Sequence, residues 1–195
     1  MSHYFENDDK VKDEEKIIKT KVKDIDLSFT VNNGVFSKTN LDFGTRTLLE
    51  TISDINGDVL DFGCGYGPIG IYIKKVYNAD VDMVDINDRA ISLSKKNIKL
   101  NKVNCNIFHS DIYENITKKY DYIISNPPIR VGKEILFKIL LEAKFYLKEN
   151  GKLIFVINKD QGAKSTMKKL EEVYNVTLLN KNKGFYIIMG EIKYK

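Results

Sequence analysis

The residues best suited to chemistry form two short motifs, a glycine-rich stretch over residues 63–67 and the tripeptide Asn126-Pro127-Pro128. The glycine stretch follows a short apolar run, and Pro68 then opens a helical pattern. A strand, a glycine turn and a helix in this order let a ligand approach bare backbone, with free N–H groups and the positive helix end directed at it. The spacing therefore predicts a ligand-binding turn.

The glycine stretch does not by itself identify the ligand. Gly65, Gly67 and Gly70 satisfy the dinucleotide fingerprint, and Asp85 lies at the downstream distance expected of a residue that holds a ribose. Asp61, just before the turn, would repel a pyrophosphate and attract a ligand with a cationic amino group. A nicotinamide-dependent oxidoreductase therefore stays open at this point.

Asn126-Pro127-Pro128 predicts a rigid group of hydrogen-bond acceptors. The proline after Asn126 keeps its backbone extended, and the two prolines remove two N–H donors. The Asn126 side-chain oxygen and a nearby main-chain carbonyl can then hold an –NH2 group and direct its lone pair at an electrophile. This chemistry requires no base of shifted pKa. A plain turn that ends a strand is the competing interpretation.

Alternating strand and helix patterns position these motifs from residue 57 to about 173. Such alternation predicts an α/β fold with a doubly wound, mostly parallel sheet of seven strands and an antiparallel C-terminal hairpin, and ligands at the carboxyl ends of the strands. The predicted strands cover residues 57–62, 79–86, 103–108, 120–125, 152–158, 176–179 and 185–191, and the helices 69–76, 89–100, 133–147 and 162–173.

Further ligand-binding candidates follow the second and third predicted strands. Asp85 can accept hydrogen bonds from a ribose diol, and Asn87 or Asp88 is free to cap the next helix in its place. Asp111 can accept from an adenine amine, but it could equally cap the segment after it. Ile86 and Ile112 could enclose the adenine ring, although apolar residues after strands are more often core.

Composition is that of a globular protein. The 195 residues are 43% hydrophobic and 30% charged, which fits one domain with a sizeable core. No apolar run approaches a membrane span, and no signal peptide is visible, so we expect no membrane partner. Two cysteines, one of them in the glycine turn, favour a reducing cytoplasm, and no Cys/His cluster predicts a metal. The net charge of +4 favours an anionic partner only weakly.

The chain divides into a charged N-terminal arm over residues 1–20 and a single domain over 21–195. Within that domain, residues 21–54 form a small β/α extension and 55–195 the core. The extension should contain a hairpin within 21–31 and a helix from Thr39 or Asn40 to about Ser53. Phe36, between them, either packs under its loop or covers a ligand.

The motifs DFGCGYGPIG, VDIN, SDI and NPPI together resemble those of class I S-adenosylmethionine-dependent methyltransferases. NNGVFSKTNLDFGTRTLL resembles the guanine-N2 enzymes of the ribosomal RNA small subunit methyltransferase C type. The resemblance spans nearly the whole chain. It implies a Rossmann-like methyltransferase fold, S-adenosyl-L-methionine as cofactor, and ribosomal RNA or the small ribosomal subunit as partner. The sequence does not choose between a monomer and a homodimer.

The resemblance also assigns roles to residues. Asp61 and the turn from Gly63 through Cys64 and Gly65 to Gly67 would hold the methionine portion, Asp85 would hold the ribose, and Asp111 would lie beside the adenine. Asn126 with Pro127 and Pro128 would orient the target amine. The family often has an aromatic residue where this chain has Ile129, so stacking on the base would either be weaker or be supplied by Phe36 or Tyr113. Arg46 and Arg130 would contact RNA; surface ion pairing is as good an explanation for either arginine.

Three other functions remain open on sequence alone. The acceptor could be a protein glutamine or a small molecule instead of RNA. The glycine pattern also permits the oxidoreductase named above. The third is an RNA-binding module without catalysis, although Asp61, Asp85 and Asn126 argue against it.

Overall fold

The computed structural model describes residues 14–32 and 40–194. Within these residues, seven strands form one mostly parallel sheet, and two more form a separate antiparallel hairpin. The last two strands of the large sheet pair antiparallel with each other, and one of them pairs antiparallel with the parallel part. The doubly wound α/β sheet with an antiparallel C-terminal hairpin is therefore confirmed.

The elements are bounded as follows. The strands are β1 Glu15–Val22, β2 Ile25–Asn32, β3 Asp58–Phe62, β4 Asp80–Asp85, β5 Asn106–His109, β6 Tyr120–Ser125, β7 Leu147–Asn158, β8 Tyr174–Asn182 and β9 Phe185–Ile192. The α-helices are α1 Phe43–Thr51, α2 Pro68–Tyr77, α3 Asp88–Leu100, α4 Lys133–Glu142 and α5 Ala163–Leu170. Short 3-10 turns cover Ile129–Val131, Ala143–Tyr146 and Lys159–Gln161.

The strand order of the large sheet is β5-β4-β3-β6-β7-β9-β8. The chain runs outward from β3 through β4 to β5, then returns to the other side of β3 with β6. This reversal leaves a crevice between the carboxyl ends of β3 and β6, which is where doubly wound sheets bind their ligands. The two motifs singled out from the sequence directly follow these two strands.

The sheet is buried on both faces. Neighbouring residues along a strand point to opposite sides, so Val59 and Leu60 of β3 are both fully buried but belong to different apolar clusters. One cluster includes the β1–β2 hairpin and residues of α1, α2 and α3, and the other includes α4 and α5. Burial on both faces explains why the parallel strands read as continuous apolar runs.

The N-terminal extension begins earlier than predicted. Strand β1 starts at Glu15, so residues 15–20 belong to the hairpin and not to a solvated arm. The reason is that Ile18 and Val22 alternate into the core, and Lys23 and Asp24 form the tight turn with φ of 45° and 66°. The rest of the predicted arm, residues 1–13, lies outside the described residues.

The boundaries of four further elements, α4, β5, β7 and β8, differ from the sequence prediction. Helix α4 ends at Glu142, and β7 already begins at Leu147 and passes through Asn150-Gly151, which had suggested the end of a helix. Here Asn150, with φ of 63°, forms an irregularity inside the strand, where the β6–β7 register shifts. Strand β5 starts later than predicted, and β8 is longer at both ends.

Candidate functional site

The glycine turn and the Asn126-Pro127-Pro128 motif adjoin one another at the crevice between β3 and β6. A Cβ atom built on Gly63 would lie 3.8 Å from Cδ of Pro128. Ser125, the last residue of β6, donates from Oγ to the carbonyl of Phe62 at 2.7 Å and ties the two strand ends together. The two predicted motifs therefore form a single site.

The backbone of the glycine turn requires glycine at its last position. Gly67 has φ of 104°, a conformation that L side chains rarely adopt, and a Cβ there would lie 3.0 Å from both Ile71 Cδ1 and Met83 Cε. The Gly67 N–H donates to the carbonyl of Cys64 at 3.0 Å, and α2 begins at the next residue, Pro68. The turn thus delivers the N-terminus of α2 to the crevice, as the sequence predicts.

Helix α3 holds the glycine turn from behind through two buried side chains. Ser94 Oγ donates to the carbonyl of Gly65 at 2.7 Å, and Asn97 Nδ2 donates to the carbonyl of Tyr66 at 2.7 Å. Both side chains are fully buried. Neither residue was predicted from the sequence, although two polar residues on the apolar face of a predicted helix were a usable signal.

Asp61 is fully buried, and only one of its two carboxylate oxygens accepts a hydrogen bond from a described residue. Its Oδ2 accepts from the Gly70 N–H at 2.9 Å, while Oδ1 has no partner among the described residues. Burial raises the pKa of Asp61 to about 7, the Gly70 hydrogen bond opposes this, and the nearby Asp85 charge adds to it. A carboxylate oxygen without a donor at this position leaves an acceptor for a cationic or hydrogen-bonding ligand group.

Asp85 braces the turn and still faces the crevice. Its Oδ2 accepts from the Gly65 N–H and its Oδ1 from the Asn87 N–H, both at 2.9 Å. Asn87, not Asp85, caps α3 by accepting from Arg89 and Ala90 backbone N–H groups. Each carboxylate oxygen keeps a further lone pair for a ligand hydroxyl.

The next strand ends carry the remaining cofactor candidates. Ile86 is 59% exposed, which is unusual for isoleucine and leaves it free to cover a flat ring. Asp111 is exposed and its carboxylate makes no hydrogen bond to another described residue, so the capping alternative does not apply. Ile112, with φ of 52°, is half-buried against the core.

The side chain of Cys64 does not face the crevice. Its thiol is buried and lies 3.7 Å from Ser94 Oγ, and burial together with the charges of Asp61 and Asp85 raises its pKa well above the usual value. Its backbone N–H donates to the carbonyl of Val84 at 2.9 Å. Cys64 therefore shapes the turn and offers no nucleophile.

Two residues of the N-terminal extension hold the amide of Asn126. Its Nδ2 donates to Asp42 Oδ2 at 3.2 Å and to Thr45 Oγ1 at 3.0 Å. Pro127 is buried and Pro128 exposed at the crevice. Asp42 and Thr45 were missed because the sequence favoured Thr39 or Asn40 as the helix cap, whereas Asp42 is the cap and accepts from the Thr45 N–H.

The guanidinium of Arg46 forms hydrogen bonds to strand β1 of the hairpin. Its Nη1 donates to the carbonyl of Lys21 at 2.8 Å, its Nη2 donates to Thr20 Oγ1, and Glu50 lies 3.7 Å away. These contacts remove the reason for assigning Arg46 to the substrate. They give α1 and β1 a fixed relative position, which the resemblance alone did not suggest.

The other residues predicted to contact the substrate differ in how accessible they are. Ile129 and Arg130 form a 3-10 turn directly after Pro128, with Ile129 half-buried and Arg130 exposed. Tyr113 cannot stack on a base, because it is 5% exposed and its hydroxyl donates to the carbonyl of Ile139 at 2.7 Å. Phe36 lies outside the described residues.

Neither a metal site nor a membrane-spanning helix is found where the structure is described. Among residues 14–32 and 40–194, no three His, Cys, Asp or Glu side chains are grouped so as to hold a metal ion. No helix in these ranges is long and apolar enough to cross a bilayer.

Comparison with known proteins places these features in a family. The family model described as methyltransferase small domain matches residues 26–189. An uncharacterized protein of Bacillus subtilis strain 168, YbxB, is 38% identical over 196 residues, which covers 97% of this chain and 98% of YbxB.

Two proteins with described activities are also similar. Ribosomal RNA small subunit methyltransferase C of Haemophilus influenzae strain PittEE is 41% identical over 131 residues, covering 64% of this chain and 40% of that protein. A solved structure of the T. thermophilus 16S rRNA N2 G1207 methyltransferase, in complex with AdoMet and guanosine, superposes with a TM-score of 0.82 at 23% identity. It covers 92% of this chain and 51% of its own. This chain thus spans less than half of the Haemophilus relative and about half of the solved structure.

Proposed function

This chain belongs to the methyltransferase small domain family and is a methyltransferase, and from that premise we propose that it transfers a methyl group from S-adenosyl-L-methionine to the exocyclic N2 of a guanine in small-subunit ribosomal RNA. The single observation that carries the proposal is the contact between the glycine turn and Asn126-Pro127-Pro128. A donor on the turn and an amine at the asparagine are then neighbours.

The residues around the glycine turn suit the proposed cofactor. Asp61 has an oxygen to which no described residue donates a hydrogen bond, and a ligand ammonium group can supply that bond. Asp85 accepts ribose hydroxyls, and exposed Ile86 and Asp111 contact the adenine ring and its amine. When bound, the cofactor supplies an electrophilic methyl group on a sulfonium.

Asn126 suits an amine acceptor. Because its Nδ2 is occupied by Asp42 and Thr45, its Oδ1 is left to accept a hydrogen bond from an –NH2 group. That bond fixes the amine and directs the nitrogen lone pair to the methyl carbon. With the cofactor bound, the amine held by Asn126 would accept the methyl group, and the proton lost from that nitrogen would pass to solvent. Positioning of this kind contributes roughly 7–11 kcal/mol.

The substrate proposal rests on the similarity to ribosomal RNA small subunit methyltransferase C and on the chemistry of the site. The amine of guanine is conjugated and weakly nucleophilic, so positioning matters more than proton abstraction. The basic balance of the chain, +4 at neutral pH, suits a polyanionic substrate.

A labelled-methyl assay tests the proposed function. Purified protein and labelled cofactor are incubated with ribosomal RNA that lacks the modification, with assembled small subunits, and with a ribosomal protein fraction. We expect label in RNA, recovered as N2-methylguanosine after nuclease digestion. Label in the protein fraction or in another nucleoside would overturn the substrate assignment.

The matched control is Asn126→Ala, which should bind S-adenosylhomocysteine normally but lose on the order of a hundredfold in turnover. Normal turnover by this variant would remove Asn126 from the mechanism, whatever the substrate.

A further inference from the structure

The asparagine proposed above to hold the amine receives its orientation from the start of α1, which precedes the large sheet in the chain. Asp42 and Thr45 belong to the first turn of α1, more than 80 positions before Asn126. Both nevertheless lie within hydrogen-bond distance of its Nδ2, at 3.2 and 3.0 Å. A side-chain amide has two N–H donors, and these two acceptors occupy both.

This arrangement allows only one orientation of the amide. A carboxylate can accept but not donate, so Asp42 pairs with the nitrogen of Asn126 and never with its oxygen. Rotation of the amide by 180° would set the Asn126 oxygen against the anionic Oδ2 of Asp42. The Asn126 oxygen is therefore directed away from α1, and a charged partner on the nitrogen makes that oxygen a stronger acceptor.

The two residues are themselves fixed. Asp42 Oδ2 also accepts from the Thr45 N–H at 3.0 Å, as the N-cap of α1. Thr45 is 4% exposed. The adjacent Phe43 packs on Phe185 of β9 with ring centroids 5.7 Å apart, which anchors the start of α1 to the sheet.

We propose that Asp42 and Thr45 are positioning residues for methyl transfer, which hold the Asn126 amide in the one orientation that accepts an amine. The inference rests on the proposed role of Asn126. It assigns the N-terminal extension a direct part in turnover, beyond covering the sheet.

Substitution of Thr45 gives the sharpest test. Thr45→Val keeps the shape but removes the oxygen acceptor, and should lower kcat about tenfold while leaving KM for the cofactor within about twofold. Thr45→Ser restores the oxygen and should return kcat to within about threefold. Asp42→Asn, which removes the charge and permits the flipped amide, should also lower kcat about tenfold.

Thr47→Val is the matched control for stability. Thr47 is 1% exposed on the same helix, and its hydroxyl donates only within α1, to the carbonyl of Phe43 at 2.9 Å. It should lower the melting temperature as much as Thr45→Val does, yet leave kcat within about twofold. An equal loss of kcat in both variants would mean that α1 acts through stability alone, and would overturn the proposal.

A double-mutant cycle separates this inference from the proposed function. If Thr45 acts through Asn126, Thr45→Val should have no further effect on kcat in the Asn126→Ala background. A full tenfold loss there would overturn the positioning role. If Asn126→Ala is inactive but Thr45→Val is fully active, this inference fails while the proposed function stands; normal turnover by Asn126→Ala would reject the proposed role of Asn126.

A second readout needs no substrate. In ¹⁵N-edited NMR spectra, the side-chain amide of Asn126 is assigned by its loss in Asn126→Ala. We expect two protons shifted downfield and slow to exchange with solvent, and faster exchange by about tenfold in Thr45→Val but not in Thr47→Val. Fast exchange in the unsubstituted protein would contradict the proposed geometry.

Discussion

Asp61 combines full burial with an unpaired oxygen, and this combination makes folding stability depend on pH. Burial raises its pKa from 3.8 to about 7. In the unfolded chain the carboxyl ionises near pH 4, whereas in the folded protein it keeps its proton until about pH 7. Between these values the unfolded state is the one that releases the proton, so stability falls as pH rises, by about 1.4 kcal/mol per pH unit.

Asp61→Asn should remove this dependence. The variant has no titrating group at position 61. The melting temperature of the unsubstituted protein minus that of the variant should therefore fall by roughly 5–10 °C between pH 5 and pH 8. Differential scanning fluorimetry without ligand, at constant ionic strength, measures both proteins. Groups that do not interact with Asp61 titrate equally in the two proteins, and their contributions cancel. A difference that stays constant with pH would show that Asp61 ionises normally.

Cofactor binding should draw the proton off Asp61. A ligand ammonium group beside the unpaired oxygen favours the ionised carboxylate, so binding of S-adenosylhomocysteine at pH 6.5 should release protons. Calorimetry in two buffers of different ionisation enthalpy measures this release. Adenosine, which lacks the amino group, is the matched ligand and should release none, as should Asp61→Asn with either ligand. Equal release by both ligands would place the ammonium group elsewhere.

At the residue scale the sequence predicted best where a side chain follows a strand. The positions of Asp85, Asn87 and Asn126 follow from strand ends in a parallel sheet, and the structure brings them to one crevice. Contacts between distant segments were not predictable. The hydrogen bond between Asp42 and Asn126 has no local sequence pattern, and neither does the one from Arg46 to the hairpin. Both depend on how the extension packs against the rest of the chain.

At the scale of elements, Asn97 of α3 and Asn101, the C-cap of that helix, bind the β1–β2 hairpin through the hydrogen bonds that a neighbouring strand would make. Asn97 accepts from the Thr30 N–H at 2.6 Å and donates to the Thr30 carbonyl at 3.0 Å. Asn101, one helical turn on, makes the same pair of bonds to Ser28, at 3.1 and 2.7 Å. The backbone N–H and C=O groups of Ser28 and Thr30, on the edge of β2 that pairs with no strand among the described residues, thereby form hydrogen bonds with side chains.

Asn97 and Asn101 should differ in their effect on the cofactor. Asn97→Ala removes the hairpin bonds and the bond to the Tyr66 carbonyl, so it should lower the free energy of unfolding by about 3 kcal/mol and weaken S-adenosylhomocysteine binding about tenfold. Asn101→Ala removes its hairpin bonds and a bond to the Asn97 carbonyl at 2.8 Å, but no bond to the glycine turn, so it should destabilise the protein while leaving binding within about twofold. Urea unfolding and calorimetry measure the two effects. Equal loss of affinity in both variants would exclude a separate role for the Tyr66 contact.

Periodicity predicted the core elements because their burial pattern is local. The alternation of helices and buried strands from β3 to α5 needs no long-range information. The predicted boundaries of strands and helices are wrong where tertiary contacts determine them. Strand β7 continues through Asn150-Gly151 because it pairs with β6 at Tyr120 and Leu147, a contact between segments far apart in sequence.

At the scale of the whole molecule, three exposed lysines stand at the same edge of the sheet as the proposed site. We call Lys159, Lys181 and Lys183 the lysine rim. Asn158 at the carboxyl end of β7 pairs with Phe185, so the β8–β9 turn projects beyond that edge. The Lys183 ammonium lies 5.1 Å from the ring of Phe43, next to the start of α1. None of the three forms an ion pair with another described residue.

If the substrate is RNA, the lysine rim should contact phosphates beside the target base. The triple variant Lys159→Gln, Lys181→Gln, Lys183→Gln should raise KM for RNA about tenfold at low salt and leave kcat at saturation within about twofold. Each lost phosphate contact flattens the slope of log affinity against log salt by about 0.7 for a single strand, so the slope should fall by roughly two. Filter binding over a salt series measures it.

The control removes the same charge from the opposite edge. Lys99, Lys102 and Lys119 are exposed and lie at the end of α3 or before β6, where the strands begin. Their replacement by glutamine lowers the net charge equally but should flatten the salt slope by much less than the lysine-rim variant does. If both triple variants lose the same affinity, RNA attraction comes from overall charge and the rim has no specific role. If neither does, a polyanionic substrate does not dock at this edge.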